Sequence, residues 1–184
     1  MAKSDRLPLR IAALISGLPP VPDSTLLILE SPRDPGFVLP VLIGNGEGKA
    51  IRDAHEGMPQ QFSDRPTPYD LLVNLLEVGQ LEVQEVFVDK IKKGTYHAKL
   101  VIAAEERTVV LDCRTSDGVA LALRTHAPIF VEHAVFEESK RPREEFQAVM
   151  IDEPEKSGAE DEERAFKEAL EGMSQLDLDE LEEA

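Results

Sequence analysis

The residues of this 184-residue chain whose types and spacing could do chemistry are mostly carboxylates. Glu47, Asp70 and Asp117 each stand at the opening of a predicted helix, and Asp89 and Asp112 at the ends of predicted strands. Acids in such places usually cap helices and complement their dipoles. Gathered in twos or threes, the same oxygens would hold Mg²⁺ or Mn²⁺, ions that promote phosphodiester hydrolysis by generating hydroxide and offsetting charge at phosphorus. Asp112, Arg114 and Asp117 fall within six residues across one strand-to-helix turn. That turn sets two candidate metal ligands, Asp112 and Asp117, beside a guanidinium able to grip a phosphate. Glu47, Asp70, Arg114 and Asp117 are the candidate catalytic residues.

Other chemistries find less support. His55, His97, His126 and His133 show no H-x-x-x-H or Cys/His spacing, which sets structural zinc aside. Gly44-Asn45-Gly46-Glu47-Gly48 carries a carboxylate where a phosphate would have to approach, so it reads as a glycine-rich turn into a helix. Ser116 has no neighbouring base and reads as a helix cap. No organic cofactor is expected.

The elements that must position these residues follow from periodicity and turn chemistry. Leu9–Ile15, Thr25–Leu29 and Phe37–Ile43 read as strands, with Pro40 favouring an edge or a bulge. A helix is predicted over about Gly46–Glu56, with Gly57 past its end. Thr67-Pro68-Tyr69-Asp70 is a strong helix start, with Thr at the N-cap, Pro at the first helical position and an acid at the third. Leu71, Leu72, Leu75 and Leu76 are expected to form that helix's buried stripe, and Gly79 to end it. Alternation then predicts a hairpin turning at Lys93-Gly94 and a further strand over Arg107–Cys113. Thr115-Ser116-Asp117 is expected to cap a short helix carrying Val119, Ala120 and Leu123, and Pro128–Val131 to close the core as a small strand. No internal repeat is legible.

The fold class predicted is α+β: one compact mixed α/β domain with an antiparallel-rich sheet and three or more helices, followed by an acidic helical tail. Apolar residues at 42% suffice for a core. The net charge of −16 is unevenly spread: residues 1–131 carry 17 acids and 14 bases, and residues 132–184 carry 19 and 6. The core is therefore nearly neutral and open to a polyanion, whereas the tail repels one. A core over 1–135, a polar linker over 136–160 and an amphipathic acidic tail over 161–184 are expected, the tail with Phe166, Ala169, Leu170 and Met173 at helical spacing to meet a protein partner. A lone cysteine, Cys113, cannot form an internal disulfide and fits a cytoplasmic protein. Lys3, Arg6 and Arg10 before Ile11–Leu18 only faintly echo a signal peptide, and no uncharged run approaches the ~20 residues of a membrane span.

Four ordered blocks resemble one family. They are 39-LPVLIGNGEGKAI-51, 65-RPTPYDLL-72, 111-LDCRTSDGVALALR-124 and 127-APIFV-131. Together they are similar to the bifunctional nuclease (BFN) domain family, closely over 39–131 and loosely over the strands at Leu9–Leu29. The resemblance implies a compact mixed α/β fold that self-associates and, through plant members, nuclease activity on DNA and RNA. The chain departs from the family pattern at Gly48, where alanine is usual, at Tyr69, where histidine is usual, and at Thr115 and Gly118, where proline and alanine are usual. A phenol, with a reference pKa near ~10, is a poor general base at neutral pH. The expected function is a metal-dependent nuclease using Mg²⁺ or Mn²⁺ on DNA and RNA; the alternative is a non-enzymatic oligomeric binding or regulatory module of the same fold.

Overall fold

The computed structural model describes residues 5–17, 22–57, 65–105 and 107–150. Period-two stretches rich in Val, Ile and Leu give eight strands: β1 (Arg6–Ser16), β2 (Ser24–Glu30), β3 (Phe37–Gly44), β4 (Leu81–Lys92), β5 (Thr95–Ala104), β6 (Arg107–Arg114), β7 (Ile129–Glu132) and β8 (Arg141–Pro142). They form one sheet in the order β6-β5-β4-β7-β1-β2-β3-β8. Every pairing is antiparallel except β4 with β7. Pro40 lies in the part of β3 beyond its two-residue pairing with β8, where a missing N–H costs least.

Two units with the same order of elements stand on either side of β7. Strands β1, β2 and β3 lead into α1 (Asn45–His55), and β4, β5 and β6 lead into α3 (Thr115–Thr125). In both helices the third residue is an acid, Glu47 or Asp117, and the fourth a glycine, Gly48 or Gly118. A repeat that the sequence hides is therefore plain in the topology. Each glycine is required by close packing: a Cβ at Gly48 would come within 2.6 Å of Thr25 Cβ, and one at Gly118 within 2.7 Å of Val86 Cγ1. These contacts explain why this chain departs from alanine at both positions.

The main core lies between the sheet and the helices. Leu27, Leu29, Leu39, Val86, Val88, Ala98, Ile51, Val119 and Ala120 meet there, and each fully buried aliphatic side chain contributes about 1.5–3 kcal/mol. On the opposite face, Leu26, Ile28 and Val38 pack on Phe146, carried by a 3-10 turn (Arg143–Phe146) that follows α4 (His133–Ser139) and precedes α5 (Gln147–Met150). Phe136 and Phe146 are both fully buried, so packing continues beyond Val135. Residues 136–150 of the linker expected over 136–160 are thus part of the packed domain, and the rest of that linker, with the tail expected over 161–184, lies outside the described residues.

One helix differs from expectation. α2 (Pro68–Val78) starts at Thr67 and passes to Gly79 as predicted, but of the expected stripe only Leu76 packs on the core, joined there by Val73, while Leu71, Leu72 and Leu75 are exposed. Its short helical footing on α3 and β4 leaves the broader apolar face outside.

Candidate functional site

Three helices begin close together, and each has an acid at its third position: Glu47 in α1, Asp70 in α2 and Asp117 in α3. The local sequences build these starts differently. α2 has a complete capping box, with the Asp70 amide donating to Thr67 Oγ1 at 3.4 Å and the Thr67 amide donating to Asp70 Oδ2 at 2.8 Å. α1 starts at Gly44, where a Cβ would lie 2.5 Å from Glu47 Oε2, so glycine lets this carboxylate fold back over the helix start. α3 starts after Arg114, not after a capping Ser or Thr; Thr115 and Ser116 are helical and buried.

The convergence is carried by two contacts. Tyr69 Oη donates to Asp117 Oδ1 at 2.7 Å, and an Arg114 terminal nitrogen lies 3.5 Å from Glu47 Oε1. Burial above all, then the Asp117 hydrogen bond and the charges of Asp117 and Glu47, push the Tyr69 hydroxyl well above the ordinary phenol range. Tyr69 is thus a fixed hydrogen-bond donor. The Arg114 side chain remains 78% exposed.

Asp70 is close by but committed. Its Oδ1 accepts from Arg124 Nε at 2.9 Å and its Oδ2 from the Thr67 amide and hydroxyl. Burial raises its pKa, but the hydrogen bonds from Thr67 and Arg124 outweigh that and hold it below the usual carboxylate range. Sequence reasoning passed over Arg124, which also donates to the carbonyls of Ala50 and Ala120 and so ties α1, α2 and α3 together. Its signal was a lone cation on the otherwise apolar Val119–Leu123 helix.

Asp112 is not brought to this cluster. In the β5–β6 register Cys113 faces Ala98 on the helix side, whereas Asp112 faces Lys99 on the other side and is bonded by it. The expected sharing of one ion between Asp112 and Asp117 fails on alternation alone, because neighbouring strand residues point to opposite faces. Among the described residues no group of three or more His, Cys, Asp and Glu could hold a metal ion. Cys113 is no nucleophile at neutral pH, since burial and then Asp117 and Asp112 push its thiol up to about 11.

Lys90 pairs with His97, and His97 with Arg114, on the face of the sheet that carries Lys99 and Asp112, so this row of bases lies away from the helix starts and only the long Arg114 side chain, at the end of β6, reaches Glu47.

Such a domain, a single eight-stranded sheet carrying helices with acidic first turns, belongs among mixed α/β proteins. The sequence profile of the Bifunctional nuclease domain matches residues 27–144, and the chain belongs to that family. Two Mycobacterium tuberculosis proteins, Uncharacterized protein MT1877 (strain CDC 1551 / Oshkosh) and Uncharacterized protein Rv1829 (strain ATCC 25618 / H37Rv), are each 32% identical to it over 146 residues, 76% of this chain and 80% of theirs. Among the described residues no helix is long and apolar enough to cross a membrane.

Proposed function

We propose that this chain cleaves DNA and RNA phosphodiesters where α1, α2 and α3 begin, with Mg²⁺ or Mn²⁺ held by Glu47 and Asp117. The observation that carries the reading is the pair of contacts, Glu47 with Arg114 and Asp117 with Tyr69, which gathers two carboxylates, a phenol and an exposed guanidinium at one spot. The donors suit the ion in kind and number. Hard carboxylate oxygens bind Mg²⁺, which takes one or two from protein and the rest from water and substrate phosphate. Asp112, on the other face, is left out of the set.

When bound, the ion would offset charge at phosphorus and lower the pKa of a coordinated water. The chain's own residues do the remaining work. Arg114 grips a non-bridging phosphate oxygen, releasing Glu47 as it does so. Tyr69 holds Asp117 in one orientation by its hydrogen bond. Asp70 and Arg124 position Tyr69 by fixing the first turn of α2 against α3. A cytoplasmic setting belongs to the same reading, since a single cysteine needs no oxidising compartment.

Purified protein incubated with single-stranded DNA and RNA tests this. Cleavage is expected with Mg²⁺ or Mn²⁺, none with chelator, and little from Glu47→Gln; absence of ion-dependent cleavage overturns the reading. A second reading, a non-enzymatic binding module, is favoured by one observation: α2 presents Leu71, Leu72, Leu75 and Val78 to solvent, as a docking helix would. Self-association, implied by the family resemblance, belongs to either reading.

A further inference from the structure

The sheet ends at β6, which has no strand on its outer side among the described residues. Exposed strand edges invite pairing with another chain, and proteins normally blunt them with charge, proline, a bulge or brevity. The other end of this sheet is blunted by all but the third: β8 has two residues, an arginine and a proline. β6 has eight residues, its pairing with β5 is unbroken, and its centre, Thr108-Val109-Val110-Leu111, has neither charge nor proline. Val110 is 55% and Leu111 45% exposed. They lie on opposite faces of the strand, so no single helix or loop laid on one face would cover both.

We infer that β6 pairs with β6 of a second copy of this chain, joining two eight-stranded sheets into one. This names the surface for the self-association proposed above and rests on that reading, but not on the cleavage reading. A two-fold axis brings an edge against itself in the antiparallel sense, which forms a regular ladder. With the axis normal to the sheet, helix faces meet helix faces and facing residues share a side, which restricts the register to those that put one residue opposite itself. Centring on Val110 gathers the apolar stretch: Val110 faces Val110, Val109 faces Leu111, and Thr108 faces Asp112, whose carboxylate can accept from the threonine hydroxyl. No like charges oppose each other in this register. A second copy matches this edge better than an unrelated peptide would, because the same short segment supplies both halves of every pair.

Full-length protein, measured by light scattering coupled to size exclusion across a dilution series, tests the inference. Wild type is expected to be a dimer. Val110→Lys sets two ammonium groups opposite each other and should give a monomer with unchanged circular dichroism, and Val110→Glu should do the same. Mixing the two variants should restore a dimer, because lysine then faces glutamate. Leu75→Asp, on the exposed face of α2, should remain dimeric. A monomeric wild type overturns self-association itself. A dimeric wild type with dimeric Val110→Lys, or with monomeric Leu75→Asp, overturns the β6 surface while leaving self-association standing. Folded variants that stay monomeric when mixed overturn the Val110-centred register.

Discussion

Tyr69 Oη donates a 2.7 Å hydrogen bond to Asp117 Oδ1, joining the second residue of α2 to the third of α3. The position where the family carries histidine is thus occupied by a donor locked onto the carboxylate at the centre of the site. Replacing it by phenylalanine keeps the ring and removes only the bond. Tyr69→Phe should lower stability by about 1.5–3 kcal/mol, the usual net worth of a hydrogen bond to a charged acceptor, read from urea midpoints.

The same bond predicts alkaline behaviour. The Tyr69 pKa is raised in the folded state, by burial first and then by Asp117 and Glu47. A group raised above its unfolded value contributes stability that is full below that value, about 10 for a phenol, and is lost as pH rises towards the folded one. Wild-type stability should therefore fall above about pH 10 more steeply than that of Tyr69→Phe, measured as Tm against pH.

Acid acts on a different pair. Asp70 and Arg124 are only 12% and 11% exposed, and bond at 2.9 Å. The folded pKa of Asp70 is depressed, so its contribution is present above the unfolded value near about 4 and disappears as pH falls through the lower folded value. Asp70→Asn should flatten that acid limb. Arg124→Met leaves the carboxylate buried without its cation and should cost about 3 kcal/mol at neutral pH, visible as a large drop in Tm.

Gly48 presses on β2. Adding a methyl group there meets the Thr25 side chain, whose hydroxyl is already engaged by Asn45 at 2.8 Å and lies 2.7 Å from the Ser16 hydroxyl. Gly48→Ala should destabilise by about 1–3 kcal/mol through overpacking, despite alanine's better helix propensity. Denaturant unfolding of the single variant checks the sign.

What the sequence revealed and what it concealed divide on range. The start of α2 was legible because Thr67, Pro68 and Asp70 act on each other within four residues. Strands and the Lys93-Gly94 turn were legible for the same local reason. The exposure of Leu71, Leu72 and Leu75 was not, since a 3.6-residue period marks an apolar face without saying what covers it. The role of Arg124 is not legible in the sequence because its partners Asp70 and Ala50 lie 54 and 74 residues away. Asp112 lies near Asp117 in sequence, and only the β5–β6 register reveals that it faces Lys99 on the other side of the sheet. The doubled order of three strands and a helix left almost no trace beyond an acid followed by glycine, because packing needs only shape and polarity from most positions.

Arg114 separates binding from stability. Its side chain is exposed and its ion pair with Glu47 loose at 3.5 Å, so its loss should barely move Tm. Arg114→Ala should nevertheless weaken single-stranded nucleic-acid binding and lessen its salt dependence, since a phosphate contact is lost. Fluorescence anisotropy at several salt concentrations reads both effects.

The most direct test of the site is a paired comparison of Asp117→Asn and Asp112→Asn in Mn²⁺-dependent cleavage of single-stranded DNA and RNA. Asp112→Asn should cleave at the wild-type rate, because Asp112 lies on the far face with Lys99. Asp117→Asn should lose about 10²-fold or more, the scale of removing one preorganised electrostatic group. Equal cleavage by wild type and Asp117→Asn, or equal losses in the two variants, would contradict the account.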